Sequence, residues 1–194
     1  MLKGFVEECQ SILKAIDWSI VEDMVLELHG LKGRLFVLGV GGNASTASHF
    51  VADLRKMCDI EAYTPTDNIA EITARTNDEG WDSVFIEWLK TSKLSHEDIV
   101  FILSVGGGDI ERKVSINLVR AMDFAFYQKA LILGIIGRRG YAAKVADRCL
   151  IIPKLNPERI TIHTEWVQSL VCHYIVSQLQ VKKPKWEEVL EKSG

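Results

Sequence analysis

Four short runs, residues 34–40, 98–104, 130–136 and 148–153, consist mostly of Val, Ile, Leu and Phe, and the stretches between them carry apolar residues at helical spacing. An apolar run without polar alternation leaves neither face suited to water, so each reads as a strand buried on both sides. A weaker strand falls at 60–63, and helical patterns lie at 69–90, 114–128 and 140–146. The expected fold class is therefore α/β, a single-domain three-layer sandwich with a five-stranded parallel sheet flanked by helices. In such sheets ligands bind in crevices outside the carboxyl ends of the strands.

Residues 2–30 read as two helices, with Asp17 before Trp18 offering a helix start. A chain of 194 residues suits one well-buried domain spanning 1–194, in which 1–30 is a helical lead-in and 181–194, after Val181 and around Pro184 and Trp186, a tail helix. Hydrophobic residues make up 47%, charged residues 25%, and the net charge is −3, an ordinary globular balance that gives nucleic acid no basic footprint. The pairs Arg138-Arg139 and Lys182-Lys183 read as solvated surface. No stretch approaches the ~20 apolar residues that cross a bilayer, and the amino-terminal residues lack a signal-peptide core, so a cytoplasmic location without membrane contact is expected. Cys9, Cys58, Cys149 and Cys172 are widely spaced with no C-x-x-C pair, as in a reduced protein without a zinc ribbon.

Chemistry gathers where strands meet glycines. The run Leu35–Gly39 continues through Val40-Gly41-Gly42-Asn43 into a helix carrying His49 and Asp53. Glycines permit a tight turn, and the free N–H groups that open the helix suit a phosphate. His49 and Asp53, four residues apart, share one helical face and can hold a metal, act as acid and base, or pair with each other. A second turn, Ser104-Val-Gly106-Gly107-Gly108, ends the strand at 98–104, and Ser115 further on is a plausible N-cap for the following helix or an anion donor. Near the carboxyl end, Glu165, Ser169 and His173 form a row at i, i+4 and i+8, with Gln168 beside Glu165. A carboxylate and an imidazole there either converge on a pocket as proton-transfer partners or belong to a hydrogen-bonded core helix. The first turn is not a P-loop, since no G-K-[ST] follows. Its G-x-G-x-x-A outline lacks an obvious acidic residue closing the next strand, Asp59 and Glu61 being the near candidates, so no nucleotide cofactor is expected.

Taken together, the turn at 39–45, His49-Phe-Val-Ala-Asp53, Thr66-Asp67-Asn68, Thr76-Asn77-Asp78-Glu79-Gly80-Trp81, Ser104-Val-Gly-Gly and the final His-bearing helix follow one another as in a known family. Over nearly its whole length the chain resembles the sugar isomerase domain proteins, in particular their phosphoheptose isomerase group. The resemblance implies a homotetramer with active sites at subunit interfaces, and interconversion of a phosphorylated ketose and aldose, here sedoheptulose 7-phosphate and a heptose 7-phosphate. By position it makes Asp53 and His173 catalytic and His49, Asp53, Glu165 and His173 the ligands of a zinc ion. It places Asn43, Asp78, Ser104, Gly106, Gly107 and Ser115 around the phosphorylated sugar, Asp78 having helix capping as its ordinary alternative. The serine-rich phosphate turn of the family is replaced by Ser104-Val-Gly-Gly-Gly-Asp109 and an insertion before Ser115, where Asp109 and Glu111 repel a phosphate unless Arg112 or Lys113 compensates. That departure favours the other reading, a non-catalytic module that binds sugar phosphates or proteins on the same fold.

Overall fold

The computed structural model describes residues 2–180; the tail helix expected over 181–194 lies outside the described residues. Helices α1 (Leu2–Ala15) and α2 (Trp18–His29) lead into β1 (Leu35–Gly39), α3 (Gly42–Asp53) and β2 (Ala62–Tyr63). There follow α4 (Ile69–Asp78), α5 (Val84–Thr91), β3 (Ile99–Ser104), α6 (Ile116–Gln128), β4 (Leu131–Ile136), α7 (Ala142–Val145), β5 (Arg148–Ile151) and α8 (Ile160–Leu179). Asp17 starts α2 as expected, its carboxylate accepting the Ser19 N–H at 3.2 Å.

The five strands form one parallel sheet in the order β2-β1-β3-β4-β5. Successive side chains alternate between two apolar layers, which explains the unbroken apolar runs. Leu35, Val37, Phe101, Leu103, Leu133 and Ile135 face α2, α3 and α8. Phe36, Leu38, Val100, Ile102, Ile132 and Ile136 face α4, α5 and α6. Because the chain leaves β1 toward β2 on one side and returns to β3 on the other, a crevice opens at the carboxyl ends of β1 and β3.

Two expectations need correction. The helical stretch at 69–90 is two helices, because Gly80 takes φ +87°, a conformation no helix continues through. Ser115 does stand before α6, but at φ +51° and without a side-chain cap bond, since residues 109–114 form a small hairpin closed by the Asp109–Val114 bridge. The hairpin dictates how the backbone enters the helix.

At the opposite edge, Asp98 pins the start of β3 to the start of β1. Its buried carboxylate accepts the Arg34 backbone N–H at 2.8 Å, the Arg34 Nε–H at 3.1 Å and the Ser95 N–H at 2.8 Å. Burial works to raise the Asp98 carboxyl, but these hydrogen bonds and the guanidinium charge outweigh it and hold the group below the usual range. Its stabilising contribution is therefore full above the unfolded-state value of about 3.9 and is lost as pH falls through the lower folded value. Asp98→Ala should cost ~3–5 kcal/mol in denaturant unfolding at pH 7, as expected for orphaning one half of a buried ion pair. The gap to the parent chain should narrow when the same measurement is made near pH 3.

Candidate active site and metal centre

Helices α3 and α8 lie side by side on one face of the sheet and start at the same edge. Gly42, the first residue of α3, faces Glu165 on α8, and His49, seven residues on, meets His173, eight residues on from Glu165. The two helices thus run in the same direction with their functional faces turned toward each other.

At the far end of this seam three side chains converge. His49 Nε2 lies 3.2 Å from His173 Nε2 and 3.3 Å from Asp53 Oδ2, and His173 Nε2 is 3.9 Å from the same Asp53 oxygen. In a tetrahedral zinc site with bonds of 2.0–2.1 Å, neighbouring donor atoms stand about 3.3 Å apart, so the spacing fits such an ion. The tautomers fit too. His173 Nδ1 is 2.7 Å from the Ser169 carbonyl oxygen, which only accepts, so Nδ1 carries the proton and the neutral ring presents an Nε2 lone pair to the cluster. Two imidazoles and a carboxylate are ordinary zinc ligands, and a three-residue set leaves a fourth position for water or substrate. With side-chain exposures of 62% for His49 and 54% for His173, that position is within reach of solvent.

His49 separates two hollows. One, of about 230 Å³, is lined by Ser45, Thr46, Ser169 and Cys172 together with the three cluster residues. The other, of about 540 Å³, is bordered by Ala44, Ser48, Thr66 and Asp67. Burial, and next the Asp53 charge, push the Cys172 thiol up, so it stays protonated and contributes shape.

Glu165 stands apart from the cluster, which comprises His49, Asp53 and His173 alone among the residues named as ligands. Its carboxylate lies against the first turn of α3 instead, so close that a methyl group added at Gly42 would be 2.5 Å from Glu165 Oε1. Gln168 turns away from it into the sheet, where its amide donates to the Ile135 carbonyl at 2.8 Å. Asn43 is buried, with its amide directed at the Val40 carbonyl at 3.4 Å and Oδ1 unpartnered.

The second turn keeps fewer groups for a ligand. Ser104 Oγ accepts the Gly107 N–H at 3.0 Å, stabilising the turn at the positive φ of Gly107. Asp109 is held by its own hairpin, accepting the Arg112 N–H at 2.9 Å with the Arg112 guanidinium 3.7 Å away, so Arg112 provides the expected compensation. Asp78 is the last residue of α4, exposed and bonded to the Asn77 amide at 2.7 Å; it caps no helix start. The residue that sequence reasoning passed over is Asn117, fully buried in the first turn of α6 with its amide nitrogen unpartnered. The signal was present in Ser115-Ile-Asn117, an amide two residues past a helix start beside the crevice.

No family model matches the chain. It is 28% identical over 165 residues to the phosphoheptose isomerase of Helicobacter pylori, covering 82% of this chain and 80% of that protein. It is 26% identical over 168 residues to the phosphoheptose isomerase of Citrifermentans bemidjiense, covering 82% of each. The solved phosphoheptose isomerase of Neisseria gonorrhoeae superposes with a TM-score of 0.77 at 22% identity, over 92% of this chain and 97% of that one, which establishes the common fold. The chain is thus similar in sequence to phosphoheptose isomerases and shares their fold. The three-residue cluster sits on two parallel helices, so deleting one side chain leaves the other two in place. His49→Ala should weaken Zn²⁺ binding, measured by competition with a chromophoric chelator, by at least about tenfold without unfolding the chain.

Proposed function

We propose that the chain is an aldose–ketose isomerase acting on a phosphorylated sugar, with sedoheptulose 7-phosphate and D-glycero-D-manno-heptose 7-phosphate as the pair and an enediol or enediolate between them. The observation that carries this reading is the convergence of His49, Asp53 and His173 within 4.8 Å beside two hollows. Isomerisation requires a base for the proton on the carbon next to the carbonyl and a means of stabilising charge on the oxygens. Asp53 turns Oδ2 to the two imidazoles, leaving Oδ1 to take the carbon proton. Zinc, held by His49, Asp53 and His173, would supply a Lewis acid for the carbonyl.

His173 has a single role at any moment. With Nδ1–H committed to the Ser169 carbonyl, only Nε2 remains, and it either holds the ion or exchanges protons with the substrate oxygens. Asn43 Oδ1, unpartnered in the fold, would accept from a sugar hydroxyl, while the Ser104 and Ser115 hydroxyls and the N–H groups of Gly106, Gly107 and the first turn of α6 would seat the phosphate. The same reading takes Asp78 to the sugar end. The alternative, a non-catalytic sugar-phosphate-binding module, is favoured by the scarcity of hydroxyls at the second turn. Solvent exchange of the substrate's α-proton decides between them. Asp53→Asn should slow deuterium incorporation into sedoheptulose 7-phosphate by about 10³-fold or more, in the range of removing a general base. If the parent chain, with and without zinc, exchanges no deuterium, the isomerase reading fails.

The same reading includes assembly as a homotetramer with interfacial sites, working in the cytoplasm without nucleic acid or membrane partners. Its support is the exposed apolar surface on α1 and α8, where Leu2 is 77%, Ile162 53% and Leu170 40% exposed. Among the described residues no helix is long and apolar enough to cross a membrane. A native mass of about four times the 21.8 kDa chain is expected from light scattering, and a mass equal to the chain's own would remove the tetramer from the reading.

A further inference from the structure

The carboxyl edge of the sheet carries a further pocket, where α6 and α7 pack on the face opposite α3 and α8. Its volume of about 320 Å³ is at the lower end of the range for small-ligand sites, and none of its lining residues borders the two hollows beside His49. One wall is the hairpin at 109–114, with Ile110 and Glu111 toward the pocket, so the insertion before Ser115 creates it. The other wall is the segment from β4 into α7, with Arg139, Tyr141 and Lys144. The walls carry opposite charge and do not meet. Glu111, Arg139 and Lys144 are all exposed and have no ion partner among the described residues. Both walls are held where they stand. Paired backbone hydrogen bonds of 2.9 Å between Asp109 and Val114 close the hairpin, and the Asp109 carboxylate is turned to its own Arg112. Opposite, the Tyr141 and Ala142 N–H groups donate to the Gly108 and Gly107 carbonyls at 2.8 Å, and the Tyr141 hydroxyl donates to Asp123. Gly140 admits no side chain there, because an added Cβ would be 2.1 Å from the Gly106 carbonyl oxygen.

Unlike charges kept apart across a pocket by fixed backbone leave two electrostatic demands that one molecule bearing both charges can meet. A lone anion there meets Glu111 and a lone cation meets Arg139 and Lys144, so each encounters a like charge. A guanidinium beside an ammonium suits a phosphate. We propose that this pocket binds a small phosphorylated amine, its ammonium group at Glu111, its phosphate at Arg139 and Lys144, and its carbon skeleton against Ile110 and the Tyr141 ring. The bonds to Gly107 and Gly108 make the same loop the back of the second turn. A ligand that favours one arrangement of the loop therefore changes the seat for the substrate phosphate on the turn's other side. This coupling rests on the isomerase reading; the binding does not.

The test titrates the full-length chain in a calorimeter with glucosamine 6-phosphate, with glucose 6-phosphate, in which a hydroxyl replaces the ammonium group, and with glucosamine, which lacks the phosphate. Glucosamine 6-phosphate should bind about tenfold or more tightly than either control, the order of one charge-assisted hydrogen bond gained at each end. Glu111→Gln should erase the preference over glucose 6-phosphate, and Arg139→Ala/Lys144→Ala the preference over glucosamine. Thermal midpoints should stay unchanged, since all three side chains are exposed. Equal binding of glucosamine 6-phosphate and glucose 6-phosphate by the parent, a preference that survives both variants, or no binding at millimolar concentration would overturn the proposal. In turnover of sedoheptulose 7-phosphate, glucosamine 6-phosphate should shift KM by about fivefold or more in the parent and not in Arg139→Ala/Lys144→Ala. A shift retained in that variant is competition at the substrate's own seat, and either that result or no shift in the parent overturns the coupling. Should the parent chain not isomerise the sugar, the isomerase reading fails by itself, and calorimetry still decides the binding.

Discussion

The parallel packing of α3 against α8 is the contact on which the site depends. Both helices begin at the edge of the sheet where β1 and β3 end, and both bury one side in the same apolar layer, through Phe50 and Val51 on α3 and Val167, Val171 and Cys172 on α8. Phe50 stacks edge-on against Phe101 of β3 at 5.5 Å, locking α3 to the central strands. With their inner faces fixed by the core, the seam between the helices is where polar residues can meet at defined separations. His49 and His173 are 124 positions apart in the chain, and their approach follows from how each helix is seated on the sheet.

The sheet was legible in the sequence because burial on both faces writes itself as uninterrupted Val, Ile and Leu. Leu35–Gly39, Ile99–Ser104 and Leu131–Ile136 fall inside the expected runs with only end residues trimmed. The pairing of His49 with Asp53 was legible for a similar reason, since four residues is one helical turn. Glu165 was not. An i, i+4, i+8 row states which residues share a face, but over about 12 Å that face passes along the whole length of a neighbouring helix. Glu165 therefore meets the first turn of α3 while His173 meets its last, and only the relative seating of the two helices decides this. Ser115 escaped for a different reason: a hydroxyl before a helix is a capping signal only when the backbone enters extended, and the hairpin before it imposes a left-handed entry.

That hairpin also shifts the balance of charge at the crevice. A phosphate turn rich in hydroxyls carries its own neutral donors, whereas residues 104–108 supply three glycines and one serine whose oxygen already receives a backbone N–H. The two strand ends divide the remaining work between them. At β1, the Glu165 carboxylate already stands over the amino end of α3, so a second anion there would meet like charge at close range. At β3, Asp109 of the hairpin pairs with Arg112, Glu111 has no ion partner among the described residues, and Asn117 holds an unpaired amide donor in the first turn of α6. The unpaired donor thus lies at α6, whereas Asn43 offers a free Oδ1 that accepts and does not donate.

The chemistry at the other end of the crevice is limited by the proton count. Without an ion, a single N–H on His49 Nε2 would serve two acceptors at once, the His173 lone pair and Asp53 Oδ2. One proton cannot satisfy three converging donor atoms fully, whereas one divalent ion in its place can accept all three and also offset the Asp53 charge. The Ser169 carbonyl removes the alternative of rotating the His173 tautomer, because Nδ1 must keep its hydrogen. The same short carbonyl contact that turns the His173 Nε2 lone pair to the cluster also denies it a second exchangeable nitrogen. In the proposed reaction a carboxylate with a spare oxygen, and not the imidazole, would then be the group free to move the carbon-bound proton.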